Sequence, residues 1–533
     1  VASESGNDRI EQRPNRDTAR AVLATRQGGT AAQPPRRQYV STRRNIIAET
    51  TTGPIEGRER EGVLLFAGIP YAAPPVGSLR FRPAQPHEPW REIRSATRFA
   101  PAAPQLPTGG LTANTPVRWT EACLTLNVTT AGLDDQRRPV LFWIHGGGYR
   151  TGQAAIPWYD GVRFVRVGGI VVVSVNYRLG ALGFTDLSRF GSRFACSGAN
   201  GLLDQITALR WVRDNISRFG GDPDRITIAG ESAGAFSVCT LLASPLAEGL
   251  FRAAIAQSGA ALHTLPAAAG ERVTERLLTA LGVDRMAELQ ALPADQILAA
   301  QTQVAADIGD GISALGVAVQ PFYPVEGNAV VPVSPQQAIA AGRSREIPVL
   351  TGTNRDETTL WGYGQVDATR LQRMTDRYGA ASTLPVYRRL RPTASPAQLL
   401  TAFTTDHMFR IPAIRLLEAR ETASAGAARH WMYWFCWESR AFGGRLGATH
   451  ALEIPFAFDN LDRAGVDLFL GPGDRPQALA HRMHAVWTRF IHTLDPGWTP
   501  YDTTRRATMQ FADTCELLLD PDGEAREAWA ALR

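Results

Sequence analysis

The sequence predicts an α/β protein built on a mainly parallel, doubly wound sheet, on three observations. Pro139 to His145 (PVLFWIH) and Gly168 to Arg178 (GGIVVVSVNYR) are short runs that are apolar on both faces, as central parallel strands are. The stretch NGLLDQITALRWVRDNISRFG then spaces Leu203, Ile206, Leu209, Trp211 and Ile216 as the apolar stripe of an amphipathic helix. Finally, Ile226 to Ser237 (ITIAGESAGAFS) carries a β-branched run through a Gly-x-Ser-x-Gly turn into a helix-compatible segment. Such β–α–β alternation marks strands joined by crossover helices.

The other elements follow in chain order. Residues 1–44 are polar, rich in Arg, Gln and Pro, and lack apolar periodicity, so a disordered extension is expected there. The first twenty residues hold no apolar core of a signal peptide, and the chain as given reads as cytoplasmic. From Asn45, NIIAETTTGPIEG and GVLLFAGIPYA suggest antiparallel strands joined by Gly/Pro turns. Phe66 to Trp90 is dense in proline and aromatics, which excludes a helix. An ordered irregular segment is expected, with Phe66, Ile69, Tyr71, Leu79, Phe81 and Trp90 needing a core.

FRAAIAQSGA reads as a buried strand, and 266–345 as helices punctuated by Pro and Gly. Ile347 to Thr351 is a strand followed by a polar turn, 366–427 is helical, and ARHWMYWFCW is a buried strand. LAHRMHAVWTRFIHTL forms a late amphipathic helix, and MQF a short final strand. Neither an internal repeat nor a linker interrupts 45–533, which is therefore one large domain with helical insertions.

Composition excludes several function classes. All 56 basic residues are arginine. Without a lysine amine there is no Schiff-base chemistry, no P-loop lysine and no Ser–Lys hydrolysis. The net charge of +5 is spread among acids (GRERE, RDE, EARE) with no basic stripe, so nucleic acid is not a partner. No apolar run reaches the eighteen or so residues of a membrane span. Cys123, Cys196, Cys239, Cys436 and Cys515 form no Cys/His cluster, so no metal site is expected. Free, mostly buried thiols are the economical reading, with a disulfide between some pair left open. Asn127-Val-Thr and Asn215-Ile-Ser match glycosylation sequons, which recur by chance.

The Gly-x-Ser-x-Gly turn supplies a nucleophile. Gly230 and Gly234 clear the strained bend, Ser232 is lifted to its tip, and the following helix aims its N–H groups back at the site. His145 to Gly152 (HGGGYRTG) follows an apolar strand, and its glycines let backbone N–H groups face a substrate oxygen. Gly147 and Gly148 are the expected donors, joined by Ala233 N–H, while His145 orients the loop. A serine hydroxyl needs a general base, and the imidazole needs an acid. GTNRDETTL, directly after a buried strand, offers Asp356 and Glu357 as the acid. Among His407, His430, His450, His481, His484 and His492, His450 stands out because it lies in a Gly-rich loop, GGRLGATHALEIPF.

At this point the chain resembles the type-B carboxylesterases, the carboxylesterase/cholinesterase group of α/β-hydrolases. The resemblance spans about 46–513. It is carried by FAGIPYAAPPVGSLRF, TEACLTLNV, WIHGGGYRTG, VSVNYRLGALGF, FGGDPDRITIAGESAG, AIAQSGA, GTNRDET and THALEIPFAF. It implies an α/β-hydrolase fold: a sheet of roughly eleven or more strands, flanked by helices, with helical insertions forming a gorge. By the same resemblance the nucleophile falls on Ser232, the acid on Glu357 rather than Asp356, the base on His450, and the oxyanion donors on Gly147, Gly148 and Ala233. A second buried serine supporting the triad falls on Ser258. Leu360 and Trp361 are implied to line the gorge, and Val317 and Val319 the acyl pocket.

There are departures from the family pattern. Its SEDCLYLN segment reads TEACLTLN here, keeping Glu121 for an ion pair with Arg80, and no cysteine precedes Cys123 to close a loop. Trp119 sits too close to Cys123 to stand for a choline-binding tryptophan. The expected activity is hydrolysis of small to medium acyl or aryl esters through an acyl-enzyme, with water as acyl acceptor and without metal or organic cofactor. A catalytically inert cholinesterase-like binding protein would typically lack a triad member. A lipase, amidase or transesterase would share the site and differ in its pocket.

Overall fold

The computed structural model describes residues 46–107, 117–308, 320–362, 364–424 and 429–532. The expected N-terminal extension, and the pocket candidates Val317 and Val319, lie outside the described residues. Asn45–Arg533 forms one compact unit.

The strands are, in order, β1 (Ile47–Thr50), β2 (Gly53–Glu56), β3 (Arg58–Arg60), β4 (Val63–Pro70) and β5 (Arg94–Ser95). There follow β6 (Thr125–Thr130), β7 (Arg138–Ile144), β8 (Val171–Val175), β9 (Gly221–Glu231) and β10 (Ala253–Gln257). The last are β11 (Val349–Asn354), β12 (His430–Phe435), β13 (Ala507–Phe511) and β14 (Glu516–Leu519). An 11-stranded sheet takes the order β14-β13-β12-β11-β10-β9-β7-β8-β6-β4-β3, and β1-β2-β5 form a small second sheet. The large sheet is parallel from β8 through β13 and antiparallel at both ends.

The two-faced apolar runs behave as their composition demands. Along β8, Val171, Val173 and Val175 enter one core while Val172 enters the core on the opposite face. On β7, Val140, Phe142 and Ile144 take the first side, and Leu141 and Trp143 the second. Each fully buried side chain of this size contributes about 1.5–3 kcal/mol of transfer free energy. The expected amphipathic helix is Asn200–Asn215, and its Asp204 accepts from Arg178 at the end of the β8 run, at 2.6 Å and 2.8 Å. That ion pair is buried, so removing either partner alone should cost about 3–5 kcal/mol.

Some boundaries differ from the sequence reading. The segment starting at Phe66 is strand as far as Pro70, and irregular beyond it apart from a short 3-10 turn. Phe66, Ile69, Tyr71 and Phe81 are buried, whereas Leu79 and Trp90 are half-buried. Strand β11 starts two residues later than expected and runs three residues further, ending on polar Thr353 and Asn354. Those residues pair with β12, and Asn354 Nδ2 donates to the Thr449 carbonyl and to Glu453. MQF is not the last strand, because β14 returns antiparallel along β13. The exposed Leu517 and Leu519 of β14 leave no alternation to read.

Register sets the site. Neighbouring residues at the strand ends are Ile144 with Gly230, Glu231 with Gln257, Gln257 with Gly352, and Asn354 with Phe435. The segments leaving β7, β9, β10, β11 and β12 thus emerge along one edge, at the carboxyl ends of parallel strands, where open α/β sheets hold ligands.

Candidate active site

At the end of β9, Ser232 adopts φ 55° and ψ −122°, a left-handed strained backbone for a residue with a Cβ. Its N–H donates to the Gln257 carbonyl at 2.9 Å, which pins the bend to β10. The helix Ala233–Ala243 begins at once, and Gly234 is needed because a Cβ there would lie 2.0 Å from the Ile144 carbonyl oxygen. This close approach sets the helix N-terminus against the loop that leaves β7. In that loop Gly147 has φ 110°, and a Cβ on it would meet the Thr151 carbonyl oxygen at 2.2 Å. Among the described residues, the N–H groups of Gly147, Gly148 and Ala233 donate to no protein acceptor.

His145 holds this loop in shape. Its Nδ1 lies 2.8 Å from the Gly146 carbonyl, its ring stacks on Tyr177, and the Tyr177 hydroxyl donates to the His145 carbonyl at 2.8 Å. Burial pushes its pKa down to about 4, so the ring is neutral and unsuited to carrying a proton.

Strand β11 leads into the candidate acid. The turn after it places Glu357, fully buried, with Oε1 accepting Asn354 N–H at 2.8 Å and Oε2 2.6 Å from His450 Nδ1. Asp356 faces away, accepting from Ala448 N–H at 2.9 Å and from Arg355. Of the two carboxylates, Glu357 is the one on the imidazole. His450 comes from the loop after β12, with its N–H donating to the Glu357 carbonyl at 3.2 Å. Its Nε2 turns to the elbow, 3.0 Å from Oε1 of Glu231, the residue preceding Ser232. His450 is buried, whereas Ser232 is partly exposed, so the hydroxyl is open to solvent while the imidazole is kept from bulk water.

Two carboxylates absent from the sequence reading complete the site. Glu453 accepts from Asn354 Nδ2 at 2.6 Å and from Gln257 Nε2 at 3.1 Å, and Trp487 fixes Gln257. Burial drives Glu231 up to about 8 and Glu453 up to about 7, with Glu357 adding to both. For His450 burial opposes the charged ring, but Glu231 and Glu357 outweigh it and lift the pKa to about 9. A proton on Glu231 withdraws one of the charges that raises His450, so the two groups compete for it. Both glutamates were visible in GESAG and THALE. No spacing rule points to them, because their partners arrive from other strands.

The remaining candidates divide. Trp361 packs on the His450 ring at 5.0 Å, and Leu360 is half-buried on the turn that starts at Glu357. Ser258 is buried beside the site at φ 51°, but its hydroxyl has no hydrogen-bond partner among the described residues. His430 begins β12, and His484 is buried against Phe164 with Nδ1 3.0 Å from the Ala457 carbonyl. Arg80 and Glu121 form the expected pair, doubly bonded at 2.6 Å and 2.7 Å. Asn127 and Asn215, the two sequon asparagines, are buried and hydrogen-bonded within the fold. All five cysteines are free.

The chain is similar to known proteins along most of its length. A model of the carboxylesterase family matches residues 44–516. A para-nitrobenzyl esterase of Bacillus subtilis (strain 168) is 34% identical over 493 residues, covering 90% of this chain and 98% of its own length. A phenmedipham hydrolase of Pseudarthrobacter oxydans is 35% identical over 466 residues, covering 84% of this chain and 90% of its own length. The crystal structure of a Geobacillus stearothermophilus carboxylesterase is 36% identical with a TM-score of 0.81, covering 91% of this chain and all of its own.

Proposed function

The chain belongs to the carboxylesterase family and is a carboxylic-ester hydrolase with an α/β-hydrolase fold, and from that premise we propose that it cleaves small to medium acyl or aryl esters through an acyl-enzyme on Ser232. The observation that carries this reading is the Glu357–His450 contact, with Nε2 turned to the elbow. His450 takes the Ser232 proton as the oxygen attacks the ester carbonyl, and Glu357 stabilises the imidazolium. Gly147, Gly148 and Ala233 N–H groups hold the oxyanion, each worth about 3–4 kcal/mol in the transition state. The imidazolium returns its proton to the departing alkoxide. Water, deprotonated by His450, then attacks the acyl-enzyme and releases the acid and free Ser232.

The test is burst-phase hydrolysis of p-nitrophenyl esters from acetate to palmitate, with and without a serine-reactive organophosphate. A burst abolished by stoichiometric labelling of Ser232 is expected. Folded protein that neither turns over nor labels would move the assignment to a non-catalytic binding protein.

The carboxylate cluster adds a pH prediction. The base must be neutral, so kcat/KM rises with pH through the His450 pKa, and the Glu231 and Glu357 charges put that limb above the ordinary histidine range. Glu231→Gln removes one charge that favours imidazolium. The pH profile of kcat/KM should therefore move its acidic midpoint down by roughly one unit. An unmoved midpoint would mean that Glu231 is protonated throughout.

A further inference from the structure

The helices Pro396–Thr405 and Ile411–Ala423 are joined by a π-helical turn, Asp406–Arg410. A π turn carries an extra residue that re-aims its neighbours, and such turns are frequent at functional sites. Here one of its residues looks toward the triad. Phe409, 2% exposed, sets its ring 4.9 Å from that of His450 and parallel to Trp361 at 6.1 Å. The turn therefore reaches the His450 ring through Phe409.

Its opposite face is polar and buried. Asp406 accepts from the Tyr387 hydroxyl, which itself accepts from Trp529 Nε1 at 2.6 Å. Oδ1 of Asp406 lies 2.8 Å from Arg410 Nε, and Arg410 is 3.6 Å from the Asp522 carboxylate. Tyr387 belongs to the helix Leu384–Leu390 and Trp529 to the last helix, Gly523–Ala530. Runs of π geometry are rare and last where surrounding contacts over-determine them.

We propose that Asp406, Tyr387 and Trp529 are positioning residues for the ester pocket: they hold the π turn that sets the Phe409 wall against His450, and so decide which acyl or alcohol groups fit beside the triad. The proposal rests on the serine-esterase reading above. These residues act through Phe409, so loosening them alters the fit of the substrate and leaves proton transfer at His450 intact.

Tyr387→Phe tests this with little disturbance, since it removes only the hydroxyl that joins Asp406 to Trp529. Trp529→Phe removes the second link. Both variants are assayed in the full chain on p-nitrophenyl acetate and octanoate. The octanoate-to-acetate ratio of kcat/KM should change by about threefold or more, carried by KM, with the pH midpoint unmoved. A wild-type ratio in both folded variants overturns the proposal. An equal loss on every ester together with a lower Tm also overturns it, because that marks a merely structural network. Organophosphate labelling of the parent enzyme at Ser232 separates the two readings. Failure to label sinks the serine-esterase assignment, whereas an active, labelled parent with unmoved variant ratios sinks the positioning role alone.

Discussion

Ser232→Ala is expected to lower kcat for a p-nitrophenyl ester by on the order of a millionfold, the loss seen when a serine hydrolase is deprived of its nucleophile. The substitution removes the oxygen that forms the acyl bond and nothing else. The Cβ is kept, so the strained φ of 55° is no worse for alanine than for serine, and the Ser232 N–H to Gln257 hydrogen bond survives. The Tm should therefore match the parent's, which separates lost chemistry from lost structure. The oxyanion donors remain, and a residual acceleration of roughly a thousandfold over water is expected from them and from binding. A variant retaining more than about one part in a thousand of kcat would show that Ser232 is not the nucleophile.

Glu357→Gln carries the second-largest effect, a fall in kcat of about ten-thousandfold. Glu357 Oε2 sits 2.6 Å from His450 Nδ1 and so requires the proton on Nδ1, leaving Nε2 free to accept from serine. A glutamine amide at that position donates to Nδ1 instead. The tautomer inverts, with Nε2 protonated and unable to act as base. Raising the pH does not restore the rate, because the defect is the location of a proton and not its removal. Asp356→Asn is the control. Its carboxylate is engaged by Arg355 and Ala448 N–H, so the rate should stay within about tenfold of the parent. A reversed pair of results would transfer the acid's role to Asp356.

Much of this site was legible because its parts are local. Gly230, Ser232 and Gly234 lie within five residues, and the elbow's clash geometry depends on side chains that the sequence states outright. HGGG is similarly self-contained. From residue types alone the acid was legible only to within one residue, since Asp356 and Glu357 are both carboxylates after the same strand, and it was the family resemblance that named Glu357. What separates them is the direction each side chain takes as the chain leaves β11. Glu231 and Glu453 stood in plain view and carried no signal. Their importance is that they share a buried volume with His450, and burial of charge is a property of assembled strands. The network behind Phe409 was least visible, because Tyr387, Asp406 and Trp529 are far apart in the chain.

The sequence by itself determined the α/β sheet and marked out the Gly-x-Ser-x-Gly elbow and the HGGG loop, since these rest on local periodicity or backbone sterics, while His450 was picked out by its Gly-rich loop and by the family resemblance. The tertiary structure decided which carboxylate meets the imidazole, in which direction burial and neighbouring charge move the site's proton affinities, and which rings pack beside His450. Those depend on distances of a few ångströms between residues on different strands, and on removal from water, which no local pattern encodes.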